Sequence, residues 1–217
     1  MNLLHLHSLL EYNHWLVVEQ TKGRVLVESQ VQLLPVSETI EIANEMGIKP
    51  PQLSGRVPCM TTDLVLHIQD GDEYVRRAFS CKYAKDLLRP RVRDLLKIEE
   101  VYWSRRDVIC VSKTELDLSD AHLTNLRLIR RFRQADSLLP GQMELRDQLS
   151  ATLRTSLCEN PGHLIHDVCE AVDSTFAIPV GTSMACFWWS IAQGRWRVDV
   201  TRTLGPLARA DHMRWLA

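Results

Sequence analysis

Two runs of strand-like residues, Met60 to His67 and the stretch ending in Ser80-Cys81-Lys82, flank Asp70-Gly71-Asp72. An Asp-Gly step between such runs predicts a β-hairpin. Side chains alternate along a strand, so Asp63, Val65 and His67 are expected on one face, and Ser80 and Lys82 together likewise. A two-residue loop at Gly71-Asp72 sets Asp63 opposite Ser80; a loop at Asp70-Gly71 sets it opposite Ala78, on the same face. A helical period takes over from Arg91 to Arg106, with Pro90 acceptable in the first turn. Its stripe runs Val92, Leu95, Leu96, Glu99, Tyr102 and Trp103. An N-terminal helix is also expected. It aligns Leu4, Ser8, Glu11, Trp15 and Val18 beside an apolar row of Leu6, Leu9, Leu10, Leu16 and Val17.

Further along, Val108 to Val111 reads as a last buried strand, and the chain divides most naturally near residues 116–122. Helices then dominate, over about 120–133, 142–158, 162–174 and 182–193, punctuated by Pro140-Gly141 and Asn160-Pro161-Gly162. Arg195 to Val200 alternates as a strand does. Helix, turn, helix, strand outlines a winged helix, with Gly181-Thr182-Ser183 capping the second helix. That helix carries Met184, Ala185, Phe187, Trp188, Trp189 and Ile191 and almost no donors for base edges, which favours protein contact over base reading. The expected organisation is a domain over 1–118 followed by a smaller, mostly helical, winged-helix-like domain over 119–217.

Two carboxylates stand where apolar residues belong. Glu99 lies on the buried stripe of its helix, and Glu11 is hemmed in by large hydrophobes. An unpaired carboxylate buried in this way costs about 2–7 kcal/mol, so each needs a cation or a strong donor. A buried Arg would serve for either one alone. Asp63 and Lys82 change the balance, because an Asp that holds a divalent cation followed by x-Lys on the next strand is the minimal core of a metal-dependent phosphodiesterase. The plain alternative is a surface hairpin with ordinary polar residues.

Composition adds limits. A chain of 217 residues can bury a substantial core in one large or two smaller domains. No apolar run approaches the roughly 20 residues that cross a membrane, so no membrane association is expected. The N-terminus lacks a basic lead-in and a small-residue cleavage site, which argues against a signal peptide. Six cysteines are scattered without a C-x-x-C pair and read as reduced thiols of a cytoplasmic protein. His163 and His166 read as surface or packing residues rather than a metal pair. The net charge of −1 does not exclude nucleic acid, since binding rests on local patches. Candidate patches are Arg89, Arg91 and Arg93; Arg105 and Arg106; and Arg127, Arg130, Arg131 and Arg133.

The chain resembles the TnsA family, the endonuclease subunits of heteromeric cut-and-paste transposases. The resemblance is carried by Ser8-Leu9-Leu10-Glu11-Tyr12, Glu28 to Pro35, Ile40 to Ala43, Gly47 to Pro51, Met60-Thr61-Thr62-Asp63, Lys82 to Leu87, Leu96 to Glu99 and Tyr102-Trp103. These segments keep their order across residues 7 to 130. Val168 to Asp173 and Gly181-Thr182 extend it more weakly. The resemblance implies an α/β, restriction-endonuclease-like mixed sheet flanked by helices, followed by a small helical domain. It places the catalytic Glu of the first helix on Glu11, the metal-binding Asp on Asp63, the Gln-x-Lys element on Ser80-Cys81-Lys82, and the helix Glu on Glu99. Glu11, Asp63, Ser80 and the backbone carbonyl of Cys81 would then hold Mg²⁺, with Mn²⁺ as a substitute. Lys82 would orient the attacking water and neutralise developing charge.

The implied partners are double-stranded DNA at transposon ends, a TnsB-like transposase and a TnsC-like ATPase, in a bacterial cytoplasm and on the nucleoid when DNA is bound. Two departures stand out. Ser80 replaces the family Gln and is shorter, and the family carries several dozen residues upstream of the position matching Glu11. A catalytically weakened DNA-bound adaptor of the same complex is therefore the second expectation, and a free-standing restriction-type or repair nuclease the third.

Overall fold

The computed structural model describes residues 4–20, 25–71, 73–133, 139 and 141–216. The chain divides into two compact units, Met1–Leu118 and Ser119–Ala217. Asp72 of the expected turn and Pro140 lie outside the described residues.

The first unit runs α1 (Leu9–Glu19), β1 (Val25–Gln32), α2 (Val36–Glu45), β2 (Thr61–Asp70), β3 (Glu73–Cys81), α3 (Pro90–Ser104) and β4 (Ile109–Lys113). Its four strands form one mixed sheet in the order β1-β2-β3-β4. The first two pairings are antiparallel, and β3 with β4 is parallel. A parallel pair needs a crossover, and α3 supplies it. Pro90 stands at the start of α3, where its missing N–H costs nothing. Beneath α3 the core gathers Leu33, Ile42, Ala43, Val65, Ala78, Ile98, Tyr102, Trp103 and Val108. Leu64 and Leu66, on the other side of β2, are also buried, and α1 carries buried Leu10, Leu16 and Val18. The sheet is thus covered on both faces near its base, whereas the outer part of β3, Glu73 to Arg76, is exposed.

The hairpin register pairs Asp70 with Glu73 and Leu64 with Phe79, so two residues, Gly71 and Asp72, separate the strands and the next position opposite Asp63 is Ser80. The last strand is not the buried one expected from Val108 to Val111. β4 is an edge strand; Val108 before it is buried, but Ile109 is 56% and Val111 37% exposed. Only one face of an edge strand meets the covering helix, and Cys110 occupies that face.

The second unit contains α4 (Asp120–Arg133), α5 (Met143–Glu159), α6 (Ile165–Thr175) and α7 (Thr182–Ala192). Helix α7 contacts the other three and buries Cys186, Phe187, Trp188, Trp189 and Ile191. Its aromatic residues therefore build the unit's own core rather than a protein-contact surface. Capping at its N-terminus also differs from expectation. Gly181 takes the N-cap with φ +92°, and the acceptor is Asp173, whose carboxylate receives the Gly181 and Ser183 N–H groups at 2.7 Å each. The strand expected over 195–200 is reduced to an isolated bridge, Val198 with Trp215. Trp196 and Val198 turn into the helical core there, and the irregular backbone is held from α4, where Asn125 donates to the Val200 and Arg202 carbonyls. Among the described residues, no helix is long and apolar enough to cross a membrane.

Candidate active site

Alternation fails in the part of β2 that carries Asp63. Thr62 and Val65, three positions apart, both meet α3. The Thr62 hydroxyl donates to Glu99 and accepts from Trp103 Nε1, while Val65 packs with Ile98, Tyr102 and Trp103. Asp63 and Val65 therefore do not share the regular face expected of them. The β2–β3 pairing ends at Leu64 with Phe79. Just beyond it, Asp63 Oδ2 accepts the Cys81 N–H at 2.6 Å and the Lys82 ammonium at 3.0 Å.

Lys82 Nζ also lies 3.0 Å from the Cys81 carbonyl oxygen. Two hard oxygens thus converge on one positive group. Burial works against the charge on Lys82, but the Asp63 carboxylate, by its charge and its hydrogen bond, outweighs it and holds the ammonium above its ordinary range. The Cys81 thiol is pushed up to about 12, first by burial and then by the charges of Asp63 and Glu11. Its carbonyl, not its sulfur, is the available donor.

Glu11 approaches from α1, and its local role is legible in the sequence. Ser8 is the N-cap and accepts the Glu11 N–H at 3.2 Å, while Glu11 Oε2 accepts the His7 N–H at 2.9 Å and Oε1 accepts the Ser8 hydroxyl at 2.8 Å. This Ser-x-x-Glu pattern is a capping box whose backbone donor is shifted by one residue, from the Ser8 to the His7 N–H. Glu11 is nonetheless 5% exposed, and its other neighbour is the Gln30 amide, 3.1 Å from Oε2. The same Gln30 nitrogen reaches Asp63 Oδ1 at 3.4 Å. Glu11 and Asp63 are therefore joined through one amide. Gln30 holds φ +52°, a left-handed conformation that costs a non-glycine residue about 1–3 kcal/mol.

Glu99 and Ser80 stand apart from this group, toward α3. Glu99 is buried, and burial raises its pKa against the lowering effect of the Ser80 and Thr62 hydroxyls. Ser80, 1% exposed, has its hydroxyl 3.9 Å from Cys110 Sγ. Among the described residues, no three His, Cys, Asp or Glu side chains are grouped to hold one metal. The expected trio of acids around one ion site is thus reduced to the pair Glu11 and Asp63. Two carboxylates and a carbonyl still suit Mg²⁺, which takes oxygen donors, keeps several waters and seldom sits in an all-protein cage. The cation-binding geometry of Asp63 and the Cys81 carbonyl toward Lys82 fits the same chemistry.

Sequence reasoning passed over Gln30, Thr62 and Trp103 as site-building residues. A signal for Gln30 exists, since Ser29-Gln30 interrupts an apolar alternation of Val25, Val27 and Val31. Two of the basic patches are also engaged locally. Arg105 and Arg106 pair with Glu45 and Glu38 of α2, at 2.7 and 2.6 Å, and Arg91 donates to the Lys49 and Pro50 carbonyls.

Two family models match the chain in series: "TnsA-like endonuclease N terminal" over residues 25–115 and "TnsA endonuclease C terminal" over residues 117–200. The chain is also similar to the transposon Tn7 transposition protein TnsA of Escherichia coli, 28% identical over 181 residues, which is 83% of this chain and 64% of that protein. The chain thus spans somewhat less than two thirds of the curated relative's length.

Proposed function

The chain belongs to the TnsA endonuclease family, and from that premise we propose that it is a metal-dependent DNA endonuclease that nicks the 5′ ends of a transposon during cut-and-paste transposition. The observation that carries this reading is the convergence of Asp63, the Cys81 carbonyl and Lys82 within 3.0 Å contacts, with Glu11 tied in through Gln30. Glu11, Asp63 and the Cys81 carbonyl are the residues that would hold Mg²⁺ or Mn²⁺. Such a cation, when bound, polarises the phosphate and makes a bound water acidic enough to attack at neutral pH.

The protein's own contribution is placement and charge. Asp63 is fixed by the Cys81 N–H, so its carboxylate meets the ligand site without reorganisation. Lys82, 38% exposed at its side chain, can swing from Asp63 to the scissile phosphate. There its ammonium orients the attacking water and neutralises charge on the phosphorane. Hydrolysis leaves a 3′-hydroxyl and a 5′-phosphate. Glu99 supports the site from α3 through Thr62.

The proposed partners are double-stranded DNA at transposon ends, a TnsB-like transposase that joins the 3′ ends, and a TnsC-like ATPase that licenses assembly. The first unit is the restriction-endonuclease-like catalytic module. The second is a docking module for partner and DNA, winged-helix-like in its helix order but with a single bridge where the wing would form. A cytoplasmic setting fits six free cysteines.

One observation favours a second reading. Ser80 is short, buried and turned to Cys110, which suits a catalytically weakened, DNA-bound adaptor of the same complex. Purified protein, Mg²⁺ or Mn²⁺, and end DNA with and without the partner transposase separate the two. Partner-dependent nicks at the 5′ ends favour the endonuclease; binding without any cut favours the adaptor.

A further inference from the structure

Gln30 interrupts the β1–β2 ladder at one rung. Ser29 pairs with Leu64 and Val31 with Thr62, so the missing pair is Gln30 opposite Asp63. The left-handed backbone at Gln30, φ +52°, accompanies this break, and its side chain lies between Asp63 and Glu11. No glycine relieves that conformation, so the position keeps a long carboxamide where the backbone would favour none.

We propose that the Gln30 carboxamide is the neutral oxygen ligand of the divalent-cation site, in the place that Ser80 leaves unfilled; this rests on the metal-dependent reading above. Three features carry it. The amide nitrogen is within hydrogen-bonding reach of both carboxylates, at 3.1 Å from Glu11 Oε2 and 3.4 Å from Asp63 Oδ1, so the amide borders the space they share. Among the described residues, the amide oxygen accepts only from the Thr61 hydroxyl, at 3.2 Å. Ser80, on β3, is buried with its hydroxyl engaged by Cys110 and Glu99 on the α3 side.

A half-turn of the amide about its terminal torsion, which is broad and two-fold, exchanges oxygen and nitrogen. The oxygen then faces Glu11 and Asp63. The nitrogen faces Thr61, whose hydroxyl accepts a hydrogen bond as well as it donates one. Without a cation, Gln30 thus supplies an N–H that separates two carboxylates; with one, it supplies an oxygen. Glu11, Gln30, Asp63 and the Cys81 carbonyl give four hard donors from α1, β1, β2 and β3, leaving the remaining positions to water and phosphate, as Mg²⁺ favours.

The test is Mn²⁺ binding to the full chain, read by electron paramagnetic resonance of free Mn²⁺, beside thermal melting with and without the ion. Gln30→Met keeps length and removes the amide, and is expected to weaken Mn²⁺ binding by about 10–100-fold. Gln30→Glu places a third carboxylate beside the other two, so its melting temperature should fall without metal and rise with Mn²⁺ by more than the parent's does. A residue that only shapes the strand would not produce that metal-specific rescue. Parent-like affinity in Gln30→Met, with binding lost in Asp63→Asn, overturns the role of Gln30 and leaves the metal site standing. Should Gln30→Met fail to fold, a Mn²⁺ response of Gln30→Glu no larger than the parent's overturns it equally. A parent protein that binds no Mn²⁺, or an Asp63→Asn variant that binds as the parent does, sinks the metal-dependent reading itself.

Discussion

The Thr62 hydroxyl donates to Glu99 Oε1 across 2.5 Å and in turn accepts the Trp103 indole N–H across 2.7 Å. All three residues are buried, and the relay pins β2 to α3 just beside Asp63. Thr62→Val keeps the shape and removes the hydroxyl, leaving a carboxylate and an indole N–H without this partner. Such a loss costs about 1–3 kcal/mol. Urea unfolding is expected to show that decrease, whereas a variant as stable as the parent would mean Glu99 draws its stabilisation from elsewhere.

Removing the convergent groups should abolish cleavage without abolishing the fold. Asp63→Ala and Lys82→Ala are each expected to lower the nicking rate by about 100-fold or more, the scale of losing a preorganised electrostatic contact. Glu11→Ala should do the same, but it also removes the acceptor of the His7 N–H and the Ser8 hydroxyl, so Glu11→Gln is the cleaner partner variant. Nicking of end DNA with the partner transposase, alongside circular dichroism, checks the set. Undiminished cutting by any variant removes that residue from the site.

Much of this arrangement is readable from the residues alone. The Asp-Gly turn, the helix after Pro90 and the inward Glu11 and Glu99 all follow from local rules, because each breaks or keeps a period that a single strand or helix imposes. What escapes those rules is where regularity fails. Strict alternation sets Asp63 with Val65, yet Thr62 and Val65 both meet α3, and Gln30 leaves the ladder. Such departures depend on contacts between distant segments, Thr62 with Glu99 and Gln30 with Glu11, which no local pattern encodes. β4 misled for a similar reason, since Ile109 and Val111 look like core residues until the sheet order makes them an edge. Likewise Trp196 and Val198 alternate as a strand would, but the helical core claims them.

Ser80→Gln distinguishes enzyme from adaptor. Ser80 opens onto a cavity of about 290 Å³ lined by Leu87, Arg93, Leu96, Lys97, Glu100, Cys110 and Ser112, which leaves room for the longer side chain on the α3 side. If Gln30 already supplies the neutral donor, the substitution changes an existing nicking rate only modestly. If the protein is an adaptor, nicking absent from the parent could emerge. The same end-DNA assay with Mg²⁺ reads both outcomes: a parent that nicks is the endonuclease, and a complete loss of nicking in a folded Ser80→Gln protein would contradict only the expectation that this position tolerates the longer side chain.

The pair Glu38 and Arg106 should make stability depend on pH in a defined direction. Glu38 Oε1 and Oε2 accept from the two terminal nitrogens of Arg106 at 2.8 and 2.6 Å, while the guanidinium lies over the Tyr102 ring at 3.7 Å. Those hydrogen bonds, more than burial opposing them, hold the Glu38 carboxyl below its ordinary value of 4.5. A carboxyl that binds its proton less readily when folded stabilises the native state above the unfolded pKa. That contribution is lost as pH falls through the depressed folded value. Urea midpoints measured from about pH 5 down to about pH 3 should therefore fall more steeply for the parent than for Glu38→Gln, which has no proton to gain. Parallel curves would show that the Arg106 contact holds Glu38 no more firmly than solvent does, and that α2 is joined to α3 by its apolar face, Ile42 against Ile98 and Tyr102, rather than by charge.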